Sequence, residues 1–194
     1  MATLRGFPPR FKDTKPEDCE GEGWLSHFVS ARELMKQGGI AVFVGGCGTG
    51  KTRMGYELAK LHKERTVGVY GVNKPMPAMY ATADKLLEEL RAGFGNDKDA
   101  TSERNVMDAY TAASILVIDE LDSCVKTDFG QRKLKRIVDE RYMAKLPTII
   151  ITNQERTRLK ELLPEPVMDR IRECGKGFHF NWSSFRAKSP DKAS

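Results

Sequence analysis

Residues Gly45, Gly46, Cys47, Gly48, Thr49, Gly50, Lys51 and Thr52 fit the pattern G-x-x-x-x-G-K-[ST] and directly follow the apolar run Ile40–Val44. The glycines let the backbone turn with its N–H groups pointing inward. The helical pattern behind them, Arg53–His62, brings the positive end of a helix dipole to the same place. Inward N–H groups, a helix N-terminus and a lysine make a cradle for phosphate. Lys51 is expected to reach the β- and γ-phosphates of a nucleoside triphosphate. The Thr52 hydroxyl is expected to ligate Mg2+, which keeps most of its waters and takes few protein oxygens. A glycine-rich turn that binds nothing is the alternative, and the strand in front and the helix behind argue against it.

Kinases, GTPases and motor ATPases all use such a loop, so the residues beside it decide the chemistry. The run Ile115–Glu120 reads Ile-Leu-Val-Ile-Asp-Glu. An acidic residue ending a buried strand stands at the carboxyl edge of the sheet, beside the phosphate loop, where Asp119 can hold the magnesium or its water shell. Glu120 is then free to polarise the water that attacks the γ-phosphate. Capping of the next helix is the plainer reading of these acids. A third run, Thr148–Thr152, ends at Asn153, a neutral hydrogen-bonding group placed to contact the γ-phosphate or the attacking water. Asparagine after a strand is also ordinary turn chemistry. A paired Asp-Glu suits water activation better than transfer to a small-molecule acceptor, which disfavours a kinase.

Short β-branched runs flanked by helical patterns predict an α/β fold, with parallel strands covered on both faces. Trp24, Leu25, Phe28, Val29, Ala31 and Leu34 recur at helical spacing until Gly38-Gly39, so a helix precedes the phosphate-loop strand. Thr66–Tyr70 and Ala78–Ala81 both read as strands, and the sequence leaves open which one enters the main sheet. Helices are expected over Ala83–Phe94, Phe129–Ala144, Arg156–Leu163 and Glu165–Cys174, a loop over Gly95–Ser102, and a closing strand over Gly177–Trp182. Residues 1–22, with Pro8-Pro9, read as an extended arm or linker ahead of a domain over 23–186 and a basic tail over 187–194.

The length of 194 residues suits one domain. Cys19, Cys47, Cys124 and Cys174 form no C-x-x-C pair, which points to incidental thiols rather than a zinc site or a disulfide framework. Cys47 sits inside the phosphate loop, where a thiol reagent would block a nucleotide. No apolar run reaches the roughly 20 residues of a membrane span, and no signal-peptide stretch opens the chain, so a soluble cytoplasmic protein without a membrane partner is expected. The net charge of +5 permits a polyanionic partner. Basic residues gather near the start, along Arg132–Lys145 and in the tail. A solvated surface explains each cluster equally simply.

The order GGCGTGKT, ILVIDE, Arg141-Tyr142, PTIIITNQ, Met168-Asp169-Arg170-Ile171 and Phe180-Asn181-Trp182-Ser183-Ser184-Phe185-Arg186 resembles the AAA+ ATPase domain of the DnaC/IstB family, most closely the DnaC-type replicative helicase loaders. The resemblance runs from about Phe7 to Arg186. It implies a P-loop αβα sandwich with a five-stranded, mainly parallel sheet, ATP and Mg2+ as ligands, and self-association into a ring, spiral or filament with ATP between neighbours. It also implies binding of single-stranded DNA and delivery of a replicative helicase. Arg170 matches the family's arginine finger, which reaches the γ-phosphate held by a neighbouring subunit, although a salt bridge to Asp169 or Glu173 is its plainer reading and Arg172 can exchange roles with it. Arg186 matches the second sensor arginine, which contacts nucleotide within its own subunit. Tyr80–Lys85 corresponds to the segment that grips single-stranded DNA, so Thr82 and Lys85 are candidate backbone contacts, with helix capping by Thr82 or Asp84 the local alternative. Arg132, Lys135 and Arg136 form a second candidate DNA face. Loaders of the family carry a separate helicase-gripping domain, whereas 39 residues precede Ile40; an isolated ATPase module or a short phage-type variant is therefore expected. The competing expectations are an IstB-like transposition helper on duplex DNA and a nucleotide-gated adaptor or inhibitor with negligible turnover.

Overall fold

Successive strand residues point to opposite faces of a sheet, and in this chain both sets are apolar, so the sheet has to be covered twice. The computed structural model describes residues 3–18, 21–62, 65–69, 72–94, 102–154 and 156–185. Its elements in chain order are β1 (Leu4–Arg5), α1 (Glu22–Lys36), β2 (Ile40–Gly45), α2 (Lys51–Leu61), β3 (Arg65–Val69), β4 (Val72–Met76), β5 (Ala78–Thr82), α3 (Ala83–Ala92), α4 (Glu103–Ala112), β6 (Leu116–Asp119), α5 (Asp128–Met143), β7 (Thr148–Thr152), α6 (Arg156–Leu162), α7 (Glu165–Cys174) and β8 (Gly175–Phe180). The main sheet runs β1-β5-β6-β7-β2-β8 with every pair parallel.

Ile40, Val42 and Val44 of β2, with Leu116, Ile118 and Ile150, face a layer that includes Leu86, Leu90, Met107, Tyr110, Leu134, Ile137 and Val167 from α3, α4, α5 and α7. Ala41 and Phe43, with Val117, Ile149, Ile151, Phe178 and Phe180, face Trp24, Phe28 and Ala31 of α1 and Met54 and Leu58 of α2. The strands are fully buried between two helical layers, which is why they read as unbroken apolar runs rather than alternating ones.

The αβα sandwich agrees with the expected class, with six strands in place of five. The sixth, β1, is a two-residue edge strand that pairs Leu4 with Ala78 and Arg5 with Met79. A strand that short carries no sequence period, so the segment reads as an arm. The open choice between two strand-like runs resolves in favour of β5, while β3 pairs antiparallel with β4 in a separate two-stranded sheet. The closing strand begins at Gly175 and ends at Phe180, leaving Trp182 just beyond it. Helix α4 has no counterpart in the sequence reading. It buries only Met107 and Tyr110, too narrow a stripe to register, and it is capped by Ser102, whose hydroxyl accepts from the Asn105 N–H at 3.3 Å. The rest of the expected loop, residues 95–101, lies outside the described residues, as do Cys19, Arg186 and the tail.

A guanidinium is built into the interior beneath the sheet's strand starts. Arg141 of α5 is 0% exposed. Its guanidinium donates to Thr148 Oγ1 at 2.9 Å and to the carbonyls of Tyr110, Thr111, Ala113 and Pro147 at 2.7–3.1 Å. It thereby joins the end of α4, the approach to β6 and the start of β7. Removing the donor strands several buried carbonyls at about 1 kcal/mol or more each. Arg141→Met is accordingly expected to lower unfolding stability by about 3–5 kcal/mol in urea titrations; a loss under about 1 kcal/mol would mean that water replaces the guanidinium.

Candidate functional site

The phosphate loop leaves β2 at Gly45 and enters α2 at Lys51, and two glycines fix its path. Gly45 has φ +143°, and a Cβ there would run into the Phe180 carbonyl oxygen on β8. Gly50 has φ +88°, and a Cβ there would lie 2.9 Å from Trp24 Nε1. The loop's carbonyls are tied back one by one. Trp24 Nε1–H donates to the Gly50 oxygen at 3.3 Å, Trp182 Nε1–H to Thr49 at 3.0 Å and the Phe185 N–H to Gly48 at 3.0 Å. The Thr49 hydroxyl donates to the Gly46 oxygen at 2.8 Å. Lys51 Nζ donates to the Gly45 and Gly46 oxygens at 2.6 and 2.7 Å, and the residue is 5% exposed. With the carbonyls of Gly45, Gly46, Gly48, Thr49 and Gly50 satisfied from within the protein, a loop of this kind offers its N–H groups to an anion.

Strand β6 delivers the carboxylates. Asp119 is buried, and its Oδ2 accepts from the Thr52 hydroxyl at 2.7 Å and from the Tyr80 hydroxyl at 3.0 Å. Its Oδ1 accepts from the Glu120 N–H at 2.8 Å. Burial and the neighbouring Asp119 carboxylate push the Tyr80 phenol well above its ordinary range, so Tyr80 stays a donor to Asp119. Glu120 has φ +54° and ψ +48°, a left-handed conformation that costs a non-glycine residue about 1 kcal/mol or more. That strained turn ends the strand and leaves the Glu120 side chain exposed at the rim of the cavity.

These groups meet around one cavity of about 450 Å3, whose lining includes Cys47, Gly48, Thr49, Gly50, Lys51, Thr52, Asp119, Glu120 and Asn153. The candidates from the phosphate loop, the second strand and the third strand thus come together at the carboxyl edge of the sheet. Thr52 Oγ1 and Asp119 Oδ2, already paired, fit a small hard cation that takes one or two protein oxygens. The sequence reading gave no role at the phosphate site to Tyr80, Arg10, Phe11, Arg53 and Phe185, which also line the cavity, nor to the two indoles behind the loop. Trp182 stood in a recognised motif without a role. Nothing local to the N-terminal arm marks it as part of the site.

Arg170 on α7 is not part of this lining. It lies 3.4 Å from Asp139 Oδ1, bonds Asp169 Oδ2 at 3.1 Å and stacks 4.7 Å over the Tyr142 ring. Tyr142 in turn donates to Glu173 at 2.6 Å. Arg172 pairs with Glu165. Arg186 lies outside the described residues, and its chain neighbour Phe185 lines the cavity. Thr82 caps α3 by accepting the Lys85 N–H at 3.3 Å, and it pairs with Asp119 across the sheet. Lys85 is exposed and stands 3.9 Å from Glu89. On α5, Arg132, Lys135 and Arg136 are all exposed. Arg136 pairs with Glu140 at 2.7 Å, and among the described residues Arg132 and Lys135 have no carboxylate partner. Helix α4 packs against both α3 and α5, so the two candidate DNA faces belong to neighbouring elements.

A glycine loop with a lysine and threonine, facing an Asp-Glu pair on the next strand but one of a parallel sheet, defines the phosphate-loop class of α/β proteins. Residues 41–176 match the family described as "ATPase family associated with various cellular activities (AAA)". The chain is 30% identical over 183 residues to the replicative helicase loader DnaC of Escherichia coli strain K12, across 90% of this chain and 68% of that protein. Among solved structures, the crystal structure of the DnaC helicase loader superposes with a TM-score of 0.70 at 20% identity, over 89% of this chain and 99% of that one. The replication initiator DnaA bound to AMPPCP and single-stranded DNA superposes with a TM-score of 0.71 at 15% identity, over 92% and 52%. The chain belongs to the AAA family, as a DnaC-type AAA+ ATPase domain. No helix among the described residues is long and apolar enough to cross a membrane.

Proposed function

We propose that this chain binds and hydrolyses ATP, assembles on single-stranded DNA and serves in DNA replication as a helicase loader or as the ATPase module of one. The observation that carries the reading is the convergence of Lys51, Thr52, Asp119, Glu120 and Asn153 on one cavity at the mouth of the phosphate loop. Likeness over 68% of a replicative helicase loader supports the biological role.

The loop N–H groups and Lys51 hold the β- and γ-phosphates. Thr52 and Asp119 would hold a magnesium ion, which would supply positive charge against that developing on the transferred phosphoryl group. Asp119 is oriented for this by Tyr80 and the Glu120 N–H. Glu120 accepts a proton from the attacking water, and Asn153 holds that water or the γ-phosphate. Arg170 supplies a cation to the cavity of the next copy, which accounts for its position outside its own. Arg186 contacts nucleotide from the segment after Phe185. Thr82, Lys85, Arg132, Lys135 and Arg136 contact the DNA backbone. Contact with the backbone needs only cations and hydroxyls, so binding through these residues is expected to be largely insensitive to sequence.

The test is fluorescence anisotropy of a labelled oligo-dT with ATP present, across a salt series. Affinity is expected to fall steeply with salt, and Lys85→Ala is expected to reduce the log-log slope by about 0.7, the value for one single-strand phosphate contact. A flat salt response would reduce the basic faces to solvated surface. A strong preference for duplex DNA would favour a transposition helper.

A further inference from the structure

We infer that Arg10, carried on the N-terminal segment, is a ligand in its own subunit for the terminal phosphate of the bound triphosphate, so that docking of this segment and triphosphate binding are coupled. The inference rests on the nucleotide reading above and extends it to a part of the chain that contains no nucleotide-binding motif.

The segment is strapped to the helix that carries the phosphate ligands. Phe7 packs on Tyr56 and Tyr80 with ring centroids 5.6 and 5.4 Å apart, and Phe11 packs on Tyr56 at 5.9 Å. The Thr14 hydroxyl donates to Glu57 Oε1 at 2.7 Å, and that glutamate is 1% exposed. Lys60 Nζ donates to the Thr14 carbonyl at 3.0 Å, and Arg53 Nη2 donates to the Lys15 carbonyl at 2.7 Å. Arg53, Tyr56, Glu57 and Lys60 all belong to α2, the helix that opens with Lys51 and Thr52. A shift of α2 on phosphate binding therefore moves the strap's anchors, and the reverse holds equally.

Arg10 is exposed and lines the same cavity as Lys51, Thr52, Asp119 and Asn153. Its guanidinium lies 4.7 Å over the Phe11 ring, and among the described residues it has no carboxylate partner. Tyr56 sits one helical turn beyond Thr52, and Tyr80 donates to Asp119, so the rings that seat the strap belong to the metal-ligand side of the cavity. A planar guanidinium without a carboxylate partner among the described residues, in the lining of a cavity built for phosphate, matches the fork geometry that phosphate oxygens accept.

The test is titration of MANT-ATP and MANT-ADP, with magnesium, into the full chain and its Arg10→Ala and Arg10→Lys variants. Arg10→Ala is expected to weaken MANT-ATP about 10- to 100-fold, the range of a lost charge-assisted hydrogen bond, and MANT-ADP less than about 3-fold. Arg10→Lys should fall between, and thermal melting should stay at the wild-type value because the side chain is exposed. ATP is further expected to slow tryptic cleavage after Lys12 and Lys15 in the wild type and not in Arg10→Ala. Equal losses for the two nucleotides would overturn the phosphate contact and place Arg10 against the base or ribose. Unchanged affinities for both would overturn any contact. A wild-type chain that binds neither analogue would overturn the nucleotide reading first and this inference with it, an outcome distinct from a failure of Arg10 alone.

Discussion

Glu120→Gln is expected to bind ATP as tightly as the wild type and to hydrolyse it at least about 100-fold more slowly, the lower end of what general-base catalysis contributes. The phosphate loop, Lys51, Thr52 and Asp119 are untouched by the change, so the groups that hold the triphosphate remain. The Asp119 bond to residue 120 comes from the backbone N–H and survives any side-chain replacement. Glutamine keeps the shape and loses only the ability to accept a proton. The left-handed backbone at this position persists in the variant, so a change in rate reports on the carboxylate and not on relief of strain. Steady-state phosphate release, with nucleotide affinity measured beside it, checks the expectation. An unchanged rate would remove Glu120 from the mechanism.

Arg170→Ala is expected to reduce turnover by about 1,000-fold or more in the assembled protein, the range for a missing arginine finger, with ATP binding by the single subunit preserved. Wild-type specific activity is expected to rise with protein concentration and with single-stranded DNA, while the variant stays flat. In this structure Arg170 is held 3.4 Å from Asp139 without the alignment of a hydrogen bond, and against Asp169 and the Tyr142 ring. The side chains are 30% exposed at Arg170, 32% at Asp139 and 59% at Asp169, and partly exposed pairs of this kind contribute little to folding, on the order of 1 kcal/mol or less. A large loss of rate without a loss of stability therefore separates the finger from the plainer reading, a surface salt bridge. A wild-type rate in the variant, at every concentration, would leave Arg170 as that salt bridge alone.

The parts of this protein that are local in sequence were legible there. The phosphate loop is a contiguous pattern whose glycines have steric reasons, and Asp119 and Asn153 announce themselves by ending apolar β-branched runs. A parallel sheet then brings the carboxyl ends of those runs to one edge, so the main lining of the cavity followed from reading strands correctly. What escaped notice depends on long-range contact. Trp24 and Trp182 act through single indole N–H bonds to the loop, and aromatic residues near strands read as core. Strand β1 is two residues long and exists because the edge of β5 is open to pairing. Helix α4 buries too few side chains to show a helical stripe. Arg10 and Phe11 stand in a proline-rich stretch whose composition signals a linker, and only the docking of Phe7 and Thr14 on α2 brings them to the cavity.

The central claim is an ATPase site shared between copies of this chain on single-stranded DNA, and mixing two inactive variants tests it most directly. Arg170→Ala retains Glu120 but lacks the finger, whereas Glu120→Gln retains the finger but lacks the base. Each alone is predicted to release little phosphate, and an equimolar mixture on oligo-dT is predicted to recover activity, because an Arg170→Ala cavity can then receive Arg170 from a Glu120→Gln neighbour. A mixture as inactive as its components, with nucleotide and DNA binding intact in both, would contradict a shared site.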